Sequence, residues 1–174
     1  MSYTAVLISV LALLFTVYSF WWMSWRRGRL YVSSLKHCSI FCSESKLYIQ
    51  LPIVFYNSGA LAIVVESLRL RFAHENTNVN TIHFNAILQK FESDEGRYFA
   101  IPFPIQQREA KQVICEFQRN PSEIKFEAKN YKLILEGKLL HKKKWLELTR
   151  FNISISINKL SGISQHLTTL ESLK

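Results

Sequence analysis

A long apolar stretch without a single charged side chain stands near the start of this sequence and decides how the rest of the chain must be arranged. From Tyr3 to Trp25 it reads YTAVLISVLALLFTVYSFWWMSW. As an α-helix that rises about 1.5 Å per residue, the stretch is long enough to cross a hydrocarbon core of roughly 30 Å. We therefore expect residues 1–29 to form one transmembrane helix with a basic flank, and the lipid bilayer to be a partner.

Aromatic and basic side chains mark the point where this helix leaves the membrane. Indole rings prefer the level of the lipid headgroups, and arginines end an apolar span. The membrane-interface residues predicted on this basis are Trp21, Trp22, Trp25, Arg26, Arg27 and Arg29. A cleaved signal peptide is the competing interpretation, but it requires a basic start and small residues at the cleavage site. Bulky aromatics and arginines stand there instead, so an uncleaved anchor is predicted.

Charge asymmetry across the helix predicts its orientation. The segment before the helix carries no basic side chain, whereas three arginines follow within four residues. The positive-inside rule then places the N-terminus outside and residues 26–174 in the cytoplasm, as a single-pass protein. Cys38, Cys42 and Cys115 are odd in number and cannot all pair within the chain, which agrees with that compartment. An extracytoplasmic domain in the reverse topology is the alternative.

The middle of the chain alternates between apolar and polar residues, which is typical of half-buried β-strands. Leu68, Leu70 and Phe72, for example, face away from their polar neighbours. Eight strands are predicted, at 30–41, 46–56, 61–73, 81–91, 97–105, 110–118, 131–140 and 145–157. Turn signals such as Asn57-Ser58-Gly59 separate several of them. We therefore expect residues 30–157 to be a mainly β domain, an antiparallel sandwich or barrel.

The strand predicted at 97–105 has two distinctive properties. Pro102 and Pro104 place it at the edge of a sheet, because a proline nitrogen cannot donate to the ladder. Its alternation also assigns one side to the core, namely Phe99, Ile101, Phe103 and Ile105.

The tail, residues 158–174, follows a different pattern. Ile163, Leu167 and Leu170 recur at helical spacing, so a short amphipathic helix is expected. A frayed terminus is the alternative.

The first part of the β domain resembles an immunoglobulin-like or LEA14-type β-sandwich. The residues that carry the resemblance are the run Leu51-Pro52-Ile53-Val54-Phe55-Tyr56-Asn57-Ser58-Gly59-Ala60, the strand Leu68-Arg69-Leu70-Arg71-Phe72, and residues 101–105 and 113–117. The similarity covers residues 45–120. It implies binding or scaffolding as the role of the domain, and it brings no catalytic residues.

No arrangement of residues in the sequence predicts catalysis. Asp94 is the sole aspartate, the five histidines lack the spacing of a zinc protease, and the five glycines form no phosphate-binding fingerprint. His37 and Cys38 with Cys42 are the nearest approach to a metal cluster and are predicted to be structural. Cys115 lies in an alternating strand and is predicted to be a core residue. We therefore expect no enzyme activity, no metal and no cofactor.

The formal charge of +9 lies entirely after the apolar stretch. Lys142, Lys143 and Lys144 follow His141 at the predicted tip of a hairpin. Juxtamembrane lysines and arginines each gain about 1 kcal/mol from an anionic leaflet, so this tip is a candidate contact for anionic lipid headgroups or another anionic ligand. The alternative is a solvated turn. Nucleic acid is not expected as a partner, because no nucleic-acid-binding fold is recognised.

These observations lead to two functional hypotheses. The first is a membrane protein whose cytoplasmic β-sandwich is a protein-interaction or assembly module, with another protein or a second copy as partner. Small residues on the helix would then pack against other helices, namely Ser9, Ala12, Thr16 and Ser19. The second is a membrane effector whose basic β domain senses an anionic ligand such as a nucleotide.

Overall fold

One apolar helix precedes a series of strands that pair into a single antiparallel sheet. The computed structural model describes residues 3–42, 47–73, 81–90, 96–119, 130–154, 166–169 and 171–172. The elements are α1 (Tyr3–Ser24), β1 (Leu30–Val32), β2 (His37–Cys42), β3 (Leu47–Asn57), β4 (Ile63–Phe72), β5 (Thr81–Leu88), β6 (Arg97–Phe99), β7 (Phe103–Ile105), β8 (Ala110–Arg119), β9 (Asn130–Leu139), β10 (Leu146–Ser154), β11 (His166–Thr169) and β12 (Glu171–Ser172).

Helix α1 stands away from the strands, and none of its residues is buried. It is the one helix in the described part of the chain that is long and apolar enough to cross a membrane, a property that signal sequences share. The hydroxyl of Ser9 donates to the carbonyl of Ala5 (2.9 Å), and that of Thr16 donates to the carbonyl of Ala12 (2.8 Å). These bonds satisfy both hydroxyls within the helix, so neither hydroxyl needs a partner outside it.

Strand β3 illustrates why these segments form strands. Its buried residues alternate strictly with half-buried or exposed ones, because every second side chain of an extended chain points to the same face. The buried side chains are Leu47, Ile49, Leu51, Ile53, Phe55 and Asn57. The same pattern buries Leu68, Leu70 and Phe72 in β4, which confirms the core face predicted for that strand.

The strands lie in the order β11-β2-β3-β8-β5-β4-β9-β10-β12, while β1 pairs with β3, β6 with β5 and β7 with β4. All of these pairs are antiparallel. β5 pairs with β4 through residues 81–83 and with β8 from His83 onward, with a bulge at Asn85. The neighbour of β5 therefore changes from β4 to β8 along its length, which divides the strands between two layers. The result is an antiparallel β-sandwich, as the sequence predicted.

Two predicted strands are interrupted. Residues 33–36 separate β1 from β2, and within them Leu35 turns into the core. Residues 100–102 separate β6 from β7, because the chain leaves β5 there and pairs next with β4. The alternation is lost across this break. Phe103 and Ile105 are buried as expected, but Phe99 and Ile101 are exposed, so their assignment to the core was wrong.

The tail differs from the prediction where the structure describes it. Residues 166–169 form β11, which pairs with β2, and residues 171–172 form β12, which pairs with β10. The expected amphipathic helix is therefore wrong over these residues, because the open edges of β2 and β10 offer backbone partners that outweigh local spacing. Ile163 and Leu170, on which that prediction also rested, lie outside the described residues.

Candidate functional site

The end of helix α1 is bonded directly to the sandwich. The amide of Ala60 donates to the carbonyl of Arg26 (2.9 Å), and the amide of Arg29 donates to Ser58 Oγ (3.0 Å). The amide of Ser58 in turn donates to the carbonyl of Arg29 (3.2 Å). Residues 26–29 directly follow the end of the helix in a non-helical conformation, so these bonds connect the helix flank to the turn that follows β3.

Helix flank and turn approach each other so closely that both carry glycine at the contact. A Cβ on Gly28 would lie 2.0 Å from the nitrogen of Gly59 and 2.3 Å from its Cα. A Cβ on Gly59 would lie 2.1 Å from the nitrogen of Gly28. No side chain fits at either position unless the two backbones separate.

The buried side chain of Asn57 stabilises the turn after β3. Its side chain is fully buried, and Nδ2 donates to the carbonyls of Leu61 (2.8 Å) and Gln106 (3.0 Å). Its Oδ1 accepts from the amide of Gly59 (2.9 Å). One side chain therefore joins the turn after β3 to the turn after β7. The sequence marked Asn57-Ser58-Gly59 as a turn, but gave no sign that this turn binds the helix flank.

Arg108 forms a second connection to the helix, one that the sequence did not predict. Its amide donates to the carbonyl of Gly59 (3.1 Å), and Nη2 donates to the carbonyl of Trp22 (3.3 Å). The backbone of Arg108 is left-handed, with φ 51°, a conformation that non-glycine residues adopt only rarely. The turn after β7 thus contacts both the helix and the turn after β3.

The predicted membrane-interface residues lie together at the end of the helix. Trp21, Trp22 and Trp25 are exposed, and the guanidinium of Arg26 lies 3.8 Å from the ring centre of Trp22. Arg27 and Arg29 are exposed beside them. This arrangement places a cation over an indole at the level where the chain leaves the helix, a favourable cation–π geometry.

The predicted hairpin tip lies at the same end of the sandwich. β9 ends at Leu139 and β10 begins at Leu146, so Lys142, Lys143 and Lys144 form an exposed tip as the sequence predicted. The preceding His141 shares a surface hollow of about 230 Å³ with the helix flank. The hollow is lined by Arg27, Gly28, Leu61, Ala62, Ile63 and His141.

We call residues 25–29, 57–62, 105–109 and 140–144 the helix-proximal end. Its charge is strongly unbalanced: it contains seven Lys and Arg residues, namely Arg26, Arg27, Arg29, Arg108, Lys142, Lys143 and Lys144, and one carboxylate, Glu109. Glu109 accepts a bond from the amide of Gln106 (2.8 Å). Two leucines are exposed among these charges, Leu140 at 65% and Leu61 at 43%. The helix-proximal end is therefore basic and partly apolar.

A second exposed surface lies on β6 and on the residues that follow it. Phe99 is 88% exposed, and Tyr98 and Ile101 are more than half exposed. Among the described residues β6 pairs with β5 alone, so its other backbone edge is open. We call Tyr98, Phe99 and Ile101 the β6 patch. It exists because of the break between β6 and β7 and was missed in the sequence for that reason.

The buried carboxylates of the sandwich are engaged in ion pairs. Glu136 accepts from Arg69 Nε (2.6 Å) and Arg71 Nε (2.9 Å), and the guanidinium of Arg69 lies 4.2 Å from the ring centre of Trp145. Glu116 accepts from Arg97 Nη2 (2.6 Å). Each carboxylate is therefore held by a cation across neighbouring strands, which is a structural arrangement.

Cysteine and histidine side chains give no chemical site in the described part of the chain. Cys38 and Cys115 are buried, and burial raises the pKa of the Cys115 thiol far above its usual value. Such a thiol is a poor nucleophile, because the thiolate is the reactive form. The side chain of Cys42 lies outside the described residues. The described residues bring together no group of three or more metal-ligating side chains.

A larger hollow, of about 540 Å³, lies where β5 and β8 meet Phe103. The cation in its lining is Lys111, whose Nζ donates to the carbonyl of Pro104 (3.1 Å). It also lies 5.6 Å from the ring centre of Phe103. Lys111 is therefore engaged within the fold, and the exposed basic side chains of the helix-proximal end are better placed to meet an anion.

The chain matches no protein-family model, and no curated protein matches it. Among solved structures it is similar to a protein from Archaeoglobus fulgidus, at 11% sequence identity over 82% of this chain and 98% of that one, with a TM-score of 0.43. It is also similar to an uncharacterized β-sandwich protein from Clostridium difficile 630, at 9% identity over 70% of this chain and 85% of that one, with a TM-score of 0.37.

Proposed function

We propose that this chain is a single-pass membrane protein whose β-sandwich, on the cytoplasmic side, is a protein-interaction or assembly module. The observation that carries the proposal is the β6 patch, where Phe99 is 88% exposed at an open strand edge. The partner is either a second copy of the chain or another protein of the same membrane.

The helix supports the membrane part of this proposal. All of its side chains are available to lipid or to other helices, and the hydroxyls of Ser9 and Thr16 are satisfied internally. An apolar helix of which no side chain is buried against the described part of its own chain needs lipid or a partner around it. The arginines that follow it favour the cytoplasm for the sandwich.

The β6 patch supports the interaction part. A run of large apolar side chains outside the core leaves its surface in water until a partner covers it. An open strand edge adds backbone donors and acceptors to which an extended segment of a partner could bind. The resemblance of residues 45–120 to LEA14-type and immunoglobulin-like sandwiches also favours a binding role.

Site-specific photocrosslinking in the native membrane tests this proposal. A photoreactive phenylalanine replaces Phe99 in the full chain, and the same residue replaces His83, which is exposed elsewhere on β5, as the control. We expect a specific product at position 99 that is absent at position 83. A product of twice the chain mass of 20.4 kDa indicates a second copy, and another mass indicates a different partner. Monomer alone at both positions would refute the proposal.

Sidedness is tested separately, because it determines which partners are available. Reporter proteins that are active on one side of the membrane only are fused at Lys174 of the full chain. We expect activity of the cytoplasmic reporter. Activity of the opposite reporter would establish the reverse topology and place the β6 patch outside.

A further inference from the structure

We propose that the hollow lined by Arg27, Leu61, Ile63 and His141 binds the phosphate of an anionic phospholipid, and that Lys142–Lys144 beside it contact neighbouring headgroups. The lipid belongs to the leaflet at which helix α1 ends, so the sandwich rests on that leaflet through its helix-proximal end. This inference depends on the proposed function in one respect, namely that α1 spans a membrane.

The length of helix α1 determines the level at which the hollow lies relative to the membrane. Its 22 residues measure about 33 Å at 1.5 Å per residue, against a hydrocarbon core of roughly 30 Å. Ser24 therefore lies at the edge of the core, and residues 26–29 lie among the headgroups. The hydrogen bonds of Arg26 and Arg29 to the turn at Ser58 and Ala60 hold this turn at the same level.

Leu61 and His141 must then lie at that level as well. Leu61 directly follows the turn, and His141 lines the same hollow as Arg27. The amide of Leu140 donates to the carbonyl of Val64 (3.1 Å), which fixes the hairpin beside the start of β4. The tip at Lys142–Lys144 therefore projects beside the helix flank and not from the far end of the sandwich.

The chemistry of the surface selects an anionic lipid as the occupant. Arg27 provides a guanidinium, which pairs with phosphate through two parallel hydrogen bonds, and the tip lysines surround it with further positive charge. The exposed Leu61 and Leu140 lie among these cations, and lipid glycerol and acyl groups offer them an apolar environment that water does not. A soluble anion would satisfy the charges but would leave both leucines in water.

Hydrogen–deuterium exchange of the full-length protein in lipid nanodiscs tests the inference. One set of discs contains phosphatidylcholine alone, and the other contains equimolar phosphatidylcholine and phosphatidylglycerol. We expect backbone amides of residues 139–145 to exchange at least about fivefold more slowly in the anionic discs, the factor that corresponds to the attraction of one juxtamembrane lysine. Equal exchange in both discs overturns the inference.

Three variants and one soluble phosphate compound test the assignment further. The triple variant Lys142→Gln, Lys143→Gln, Lys144→Gln and the single variant Arg27→Gln should each reduce the protection, whereas Lys142→Arg, Lys143→Arg, Lys144→Arg should keep it. Protection that survives both glutamine variants overturns the assignment. Glycerol phosphate added to phosphatidylcholine discs should give no protection, and full protection there would show a site for a soluble anion instead.

Insertion itself is measured on the same samples. A protein that inserts into both discs but shows no lipid-dependent protection refutes the lipid site alone. A protein that leaves the membrane on alkaline extraction refutes the transmembrane anchor, and with it the proposed function.

Discussion

The ring of Phe103 packs on the ring of Phe55 across the sandwich, with 5.6 Å between their centres. Phe103 is 5% exposed, whereas Phe99, only four residues earlier, is almost fully exposed. Two phenylalanines of one alternating segment therefore have opposite roles, because the chain changes its pairing strand between them. The one stabilises the core, and the other belongs to the β6 patch.

Truncation of these two rings should have very different effects on stability. We expect Phe103→Ala to lower the free energy of unfolding by about 3–4 kcal/mol, because it removes a buried ring and leaves a cavity. Phe99→Ala should change it by less than about 0.5 kcal/mol, since its ring is in solvent. Thermal unfolding of the detergent-solubilised chain, followed by circular dichroism, measures both. A comparable loss for the two variants would show that Phe99 is part of the core.

The contact between Gly28 and Gly59 gives a second prediction. Gly28→Ala places a methyl group against backbone atoms that cannot rotate away, so we expect a loss of about 2–3 kcal/mol. Gly137→Ala is the matched control, because its Cβ would meet the movable Cδ1 of Leu148, and we expect a change within about 1 kcal/mol. The melting temperatures of the two variants, each compared with that of the wild type, measure the two losses of stability. Equal effects would mean that helix flank and turn separate freely.

Two ion pairs of equal length should contribute differently to stability, because they are buried to different extents. Glu136 and Glu66 each accept from a cation at 2.6 Å, but their side chains are 9% and 33% exposed. Glu136→Ala leaves Arg69 and Arg71 without their shared carboxylate, so we expect a loss of about 2–3 kcal/mol. Glu66→Ala should cost less than about 1 kcal/mol, as exposed pairs do. Denaturant unfolding of the two variants provides the comparison, and a larger loss for Glu66→Ala would contradict it.

The pair of Glu147 and Arg150 should show its effect in the pH dependence of stability. The hydrogen bond from Arg150 lowers the pKa of Glu147 below its usual 4.5. A carboxylate whose pKa is lowered by folding stabilises the folded state at neutral pH, and this contribution is lost as the pH falls through the lowered pKa. We expect Glu147→Gln to be slightly less stable than the wild type at neutral pH.

The difference between Glu147→Gln and the wild type should disappear below the lowered pKa and should decrease in high salt, because both side chains are largely exposed. Thermal unfolding across a pH series measures it. A difference that grows as the pH falls would show that this carboxylate acts through another contact.

The sequence was sufficient to predict the strands whose two faces have different environments. β3 alternates along its whole length and β4 on either side of its bulge, because one face of each strand lies on the core and the other faces outward. The hairpin tip at Lys142–Lys144 was also predictable, since its charges interrupt two alternating runs. These features depend on local pattern alone.

The helix-proximal end could not be predicted in the same way. Gly28 and Gly59 are far apart in the sequence, and Arg108 is farther still, yet all three meet at the helix flank. Neither glycine has a positive φ, so no turn rule marks them. Their requirement for glycine arises from a tertiary approach of two backbones, which only the folded arrangement reveals. The exposed Leu61 and Leu140 were visible as apolar residues beside turns, but their common location was not.

The bonded segment at Arg26–Arg29 has a mechanical consequence. The hydrogen bonds of this segment join the end of the helix at Ser24 rigidly to the sandwich. A rotation of the helix about its axis therefore rotates the sandwich, including Phe99, through the same angle. If two such helices cross, their crossing angle then determines whether the β6 edges of the two copies meet, so the orientation of the helix sets the orientation of the strand edge.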